Sequence, residues 1–144
     1  MKIDKNIKNI TVDEFFSALE QGFIQRYQES TKKKITADKI KTGLSFTQNP
    51  DNKYTKQKIT IVNYQHGKIY HEKIDSLFDN QETIYTVKAI QKGINVELEQ
   101  NNESIEKKKN VISRNWAKAL IYGRMSDSIF KIVNYAYKVQ EEKS

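Results

Sequence analysis

The sequence predicts an α+β chain with the order strand, helix, about five antiparallel strands and a long C-terminal helix. Three observations predict it. Apolar residues recur every three or four positions from Val12 to Tyr27, and again beyond Ser104, which is the period of an amphipathic helix. Between Leu44 and Leu98 they alternate with polar residues instead, the period of a half-buried strand. Turn signals divide that alternating region about every dozen residues, and connections of two to four residues cannot make parallel crossovers.

Residues 2 to 8 place Ile3, Lys5 and Ile7 on one side of a short strand. Thr11-Val12-Asp13-Glu14 is a capping box: the Thr11 hydroxyl can accept from the Glu14 amide while the Glu14 carboxylate accepts from the Thr11 amide. Ile10 and Phe15 hold the two positions of a hydrophobic staple. Val12, Phe15, Phe16, Leu19, Phe23 and Tyr27 then form one stripe on a helix reaching about Ser30. Lys32 to Lys41 reads as a polar connector in which Thr36-Ala37-Asp38 can open one helical turn.

After Gly43, Leu44 and Phe46 alternate with Ser45 and Thr47, and Asn49-Pro50-Asp51-Asn52 has turn chemistry in all four places. Further strands are expected from about Tyr54 to Tyr64, from Ile69 to about Leu77, from Thr83 to Ile90, and through Ile94, Val96 and Leu98. Gln65-His66-Gly67-Lys68, Asp79-Asn80 and Lys92-Gly93 supply the turns between them. Tyr70, Glu72 and Ile74 share one strand face, and Tyr85, Val87 and Ala89 share one face of the next.

From Ser104, in an N-cap position, helical spacing runs to about Gln140. Ile112, Trp116, Ala119, Gly123, Phe130, Val133 and Tyr137 make one stripe; Met125, Ile129, Ile132, Ala136 and Val139 make a second beside it. Gly123 and Ser126-Asp127-Ser128 mark where this helix would kink or be interrupted.

At 144 residues the chain has room for one core and reads as a single domain over 1–144. It contains no Cys, which removes disulfides, thiolate metal sites and Cys nucleophiles and suits a reducing compartment. Its N-terminus has no apolar signal region and nowhere do 18 apolar residues run together, so neither a signal peptide nor a membrane span is expected and the cytoplasm is the default location. The net charge of +7 raises the prospect of an anionic partner, yet acids are interleaved with lysines. The runs Lys32-Lys33-Lys34 and Lys107-Lys108-Lys109 read as solvated segment ends.

The element order, together with Ile10-Thr11-Val12-Asp13-Glu14-Phe15-Phe16-Ser17-Ala18-Leu19 after the first strand, resembles the helix-grip fold of the START and Bet v 1 superfamily (SRPBCC). More narrowly the chain resembles an uncharacterised domain-of-unknown-function family from Gram-positive bacteria, through Gly43-Leu44-Ser45-Phe46, Ile84-Tyr85-Thr86-Val87 and Val96-Glu97-Leu98-Glu99-Gln100. The resemblance implies a curved antiparallel sheet of about six strands, in β-α-β5-α order, wrapped around the terminal helix. It also implies a cavity between them that in many superfamily members holds an apolar molecule. No active-site residue comes with it.

No catalytic constellation, metal site or cofactor motif is legible. Metal centres need three or four converging ligands, and the only histidines, His66 in a turn and His71 on a strand, read as solvent-exposed. There is no Gly-x-Ser-x-Gly elbow and no glycine-rich phosphate loop. Pro50-Asp51 with Glu106-Lys107-Lys108 matches a nuclease set only superficially, since Glu106 is expected to start a helix.

The first functional expectation is a noncatalytic binding domain for a small apolar or amphipathic ligand, with Phe46, Ile61, Tyr70, Glu72, Tyr85, Val87, Val96, Trp116 and Phe130 around the cavity. Glu72 shares its face with Tyr70 and Ile74, so burial would demand a partner or a raised pKa. Either it fixes the polar end of a ligand with Tyr70 and Tyr85, or, the reading preferred on sequence, it lies near an open strand end and meets water or a lysine. For Trp116 and Phe130 ordinary core packing is preferred over a ligand clamp. The alternatives are a basic interaction module for nucleic acid or another acidic partner, without any motif for sequence-specific readout, and an enzyme of the polyketide-cyclase type.

Overall fold

The computed structural model describes residues 1–106 and 110–143; the Lys107–Lys109 run lies outside the described residues. Strand β1 (Lys2–Lys8) leads into helix α1 (Val12–Thr31). The capping box is formed, with Thr11 N donating to Glu14 Oε1 at 2.9 Å and Glu14 N to Thr11 Oγ1 at 3.1 Å. Lys32 ends α1 in the left-handed region at φ 61°, its N–H donating to the Gln28 carbonyl. A 3-10 turn (Ala37–Lys39) precedes strands β2 (Ser45–Gln48), β3 (Gln57–Gln65), β4 (Ile69–Ser76), β5 (Asn80–Ile90) and β6 (Gly93–Asn102). Helices α2 (Glu103–Glu106) and α3 (Val111–Lys143) follow. Among the described residues no helix is long and apolar enough to cross a membrane.

All six strands pair antiparallel in the order β1-β6-β5-β4-β3-β2. At the β1–β6 edge only glycine fits position 93, because a Cβ there would stand 1.9 Å from the Ile7 carbonyl oxygen. Phe46, Ile59, Ile61, Tyr85, Val87, Ile94, Val96 and Leu98 are buried on the inner face of the sheet. Phe15, Phe16, Leu19 and Phe23 of α1 and Ile121, Met125, Ile129 and Val133 of α3 complete the core. Two helices therefore cover the sheet, and α1 supplies the large aromatics.

Several boundaries differ from the sequence expectation for local reasons. Tyr54 is exposed in a wide turn, held there by its N–H donating to Asn52 Oδ1 at 3.0 Å, so β3 starts only at Gln57. Leu77 and Phe78 form an exposed hairpin tip between Ser76 and Asp79, and β5 starts at Asn80. The register of β3 shifts between Ile61 and Asn63. This bulge leaves Val62 as an extra residue, so Ile61 and Tyr64, three apart, share the inner side.

The terminal helix needs more correction. Ser104 is not an N-cap: it lies inside α2, and its own N–H donates to Asp79 Oδ1 at 2.9 Å. Asn110 caps α3, accepting from the Ile112 and Ser113 amides. Helix α3 continues unbroken through Gly123 and Ser126–Ser128; the Ser128 hydroxyl donates to the Arg124 carbonyl inside the helix instead of capping a new one. Of the two stripes, the one through Met125, Ile129 and Ala136 faces the core, joined there by Val133 of the other. Trp116 is 69% exposed and Phe130 45% exposed, so core packing is not their role. Neighbouring stripes occupy neighbouring arcs of a helix, and the body of the protein covers one arc only. Phe130 is partly covered by Lys5, whose Nζ lies 5.9 Å from the ring centroid.

Candidate functional site

Between the sheet, α1 and α3 lies a cavity of about 730 Å³, within the size range of small-molecule sites. It exists because α1 presents small residues there. Ala18 and Gly22 line it one turn apart, and nothing lies within 4 Å of the position a Gly22 Cβ would take. Leu19, Phe23, Ile74, Leu98, Ile121 and Ile132 give the wall its apolar part.

The polar part centres on β4. Glu72 is buried, 5% exposed, and points inward beside Tyr70. Its cationic partner is an arginine of another element: Arg26 of α1 reaches it with both terminal nitrogens, the Nη1 to Oε2 distance being 3.3 Å and the Nη2 to Oε1 contact shorter. The Tyr70 hydroxyl donates to Glu72 Oε1 at 2.6 Å, and Arg26 Nη2 also donates to the Tyr70 oxygen at 3.3 Å. A bidentate pair of this kind fixes orientation as well as charge. Burial works against the Arg26 charge, but the Glu72 carboxylate outweighs it and holds the guanidinium firmly protonated.

Burial, reinforced by the Glu72 charge, pushes the Tyr70 and Tyr85 phenols above their usual range. Both are therefore neutral hydroxyls facing the cavity at any physiological pH. At the far rim Asp79 is consumed structurally, its oxygens accepting from the Asn80 and Ser104 amides and from Asn102 Nδ2. On the opposite wall α3 places Arg124, Ser128 and Lys131 on one side at spacings of four and three. Neither Arg124 nor Lys131 has an acidic partner among the described residues.

Of the nine residues singled out from the sequence, Tyr70, Glu72 and Tyr85 line this cavity. Phe46, Ile61, Val87 and Val96 are buried in the solid core and do not reach it, while Trp116 and Phe130 lie on outer arcs of α3. Gly22, Arg26, Arg124 and Lys131 were missed. For Arg26 a signal existed, since it is the sole cation between Val12 and Thr31 and flanks the apolar stripe at Phe23 and Tyr27.

His66 is exposed in its turn, as expected, whereas His71 is only partly exposed. His66 bridges Asp13 at 2.7 Å and Glu20 at 3.3 Å, and Glu20 also accepts from the Tyr64 hydroxyl. His71 is half-buried, with Glu82 3.5 Å away. The turn position of His66 and the strand position of His71 each put a carboxylate in reach that alternation alone does not disclose.

A family model described as Domain of unknown function (DUF3284) matches residues 1–123. The chain belongs to that family. None of the curated proteins matches the DUF3284 chain by sequence. Among solved structures it is similar to Ara h 8.0201, with a TM-score of 0.62 at 11% identity, covering 96% of this chain and 97% of that one. It is also similar to DynU16, a protein in the dynemicin biosynthetic locus, with a TM-score of 0.59 at 9% identity over 93% of this chain. The chain spans 46% of the length of DynU16. At these identities the likeness speaks to the fold, which is the Bet v 1-like helix-grip arrangement.

Proposed function

We propose that this DUF3284 protein binds a small amphipathic molecule, noncatalytically, in the cavity between sheet, α1 and α3. The observation that carries the proposal is the polar cluster at the cavity wall, in which Arg26, Glu72 and Tyr70 are mutually bonded and face about 730 Å³ of space. A buried ion pair costs desolvation that an apolar pair would not, and a cavity forgoes packing energy. Their coincidence is what a binding site needs and what a stability-driven core avoids. In this reading Tyr70 and Tyr85 present hydroxyls to the polar end of the ligand, and the Leu19, Ile121 and Leu98 side receives its apolar part. Arg124 and Lys131 favour a ligand carrying negative charge. The absence of Cys suits a cytoplasmic setting.

Native mass spectrometry of protein purified from its own type of cell tests the proposal. A reproducible adduct of a few hundred daltons that disappears in Tyr70→Phe/Arg124→Gln is expected. A uniformly ligand-free spectrum, with no organic extract restoring an adduct, would refute it.

A further inference from the structure

The first half of α3 shows a surface that neither the core nor the cavity uses. Ile112, Trp116 and Leu120 follow one another at spacings of four and are 71%, 69% and 59% exposed; Val111 and Tyr122 are exposed as well. Leu120 also lines the cavity, so the apolar stripe runs continuously from the cavity wall onto the outer surface of the helix. The hairpin tip Leu77-Phe78 stands at the same end: it borders Asp79 and Ser104, which themselves line the cavity.

The charge of this segment is equally one-sided. From Lys107 to Ser126 the sequence carries Lys107, Lys108, Lys109, Arg114, Lys118 and Arg124 and not one Asp or Glu, although acids are interleaved with lysines elsewhere. A helix combining exposed Trp, Ile and Leu with Arg114, Lys118 and Arg124, none of them ion-paired with an acid among the described residues, has the composition of a segment that lies in a bilayer interface, apolar residues among acyl chains and cations at the headgroups. Long basic side chains such as Lys118 can extend their heads to phosphate while their stems stay on apolar surface.

We propose that the α3 face formed by Ile112, Trp116 and Leu120 docks on the surface of an anionic bilayer. Docking there sets the cavity at the membrane, so an amphipathic molecule can pass between the two without crossing water. A second copy of the chain fits the face less well, because pairing would bring two acid-free cationic segments together. Nucleic acid would satisfy the cations and leave Ile112 and Leu120 without an apolar partner.

Trp116 is the only tryptophan in the chain, so its emission reports the proposed contact directly. Full-length protein is titrated with vesicles of phosphatidylglycerol and phosphatidylcholine, with vesicles of phosphatidylcholine alone, and with a duplex oligonucleotide. The expected result is a blue shift and co-sedimentation with the anionic vesicles only, weakening as salt rises. Lys118→Gln should lower partitioning about fivefold, the contribution of one cation near an anionic surface, and Ile112→Ser should lower it further while leaving the melting temperature unchanged. The proposal is overturned if emission does not move with anionic vesicles, or if it moves equally with neutral ones. It is equally overturned if only the oligonucleotide shifts it, or if it is blue-shifted in buffer and depends on protein concentration alone, as self-association would require.

Discussion

Gly22 offers a perturbation whose two consequences have opposite signs. It lies inside α1, ten residues beyond Val12, where glycine is a poor helix former, and it lines the cavity with nothing within 4 Å of where a Cβ would go. Replacing it with leucine removes the backbone-entropy penalty of glycine, about 0.8 kcal/mol, without meeting a neighbour at the first carbon. For a chain of this length that amounts to about 3 °C in melting temperature. The same side chain occupies part of the space between Ala18, Arg26 and the sheet. Gly22→Leu should therefore melt higher and hold less ligand, with Gly22→Ala giving the stability gain and a smaller binding loss. Thermal melts followed by circular dichroism, paired with native mass spectrometry of the same samples, measure both. A lower melting temperature would mean that the glycine is required by packing. An unchanged ligand population would mean that the cavity is not where the molecule sits.

Three further outcomes follow from the contacts. Arg26→Met leaves Glu72, whose side chain is 7% exposed, with Tyr70 alone; loss of a fully buried partner costs about 3–5 kcal/mol, and the 35% exposure of the Arg26 side chain brings this to about 2 kcal/mol. Urea denaturation should show most of the loss recovered in Arg26→Met/Glu72→Gln, and a double variant no better than the single would sink the account. Burial lowers the His66 pKa, but hydrogen bonds to Asp13 and Glu20 outweigh it and raise it above 6.5. Its contribution to stability is then complete below the unfolded value and lost as pH rises through the folded one; NMR titration should place the midpoint above 6.5, with the matching loss of stability missing in His66→Asn. Asp79→Ala frees the Ser104 amide at the start of α2 and should cost about 1–2 kcal/mol, as loss of a helix cap does; stability indistinguishable from the parent chain would show that α2 needs no such anchor.

The alternating and helical periods in the sequence carry the β-α-β5-α order because they record which side of each element must leave water. The capping box, the α1 stripe and the shared faces of Tyr70 with Glu72 and of Tyr85 with Val87 are local consequences of residue spacing, and the structure contains them. Spacing is blind to anything that depends on a partner from elsewhere in the chain. Glu72 reads as a solvated strand-end carboxylate until Arg26, 46 positions away, is brought against it. Trp116 and Phe130 read as core until the body of the protein takes up the Met125-Ile129 arc and leaves theirs outside. The bulge after Ile61 likewise exists only through pairing with β4.

By itself, then, the sequence determined which residues are apolar on which face, and hence the β-α-β5-α order, with Tyr70 and Glu72 on one side of one strand. Tertiary structure decided which apolar stripe is buried, which charge neutralises Glu72, and that small residues on α1 leave a cavity. The reason is physical: periodicity encodes each element's preference for water or core, whereas pairing and empty volume arise only when elements distant in the chain share one space.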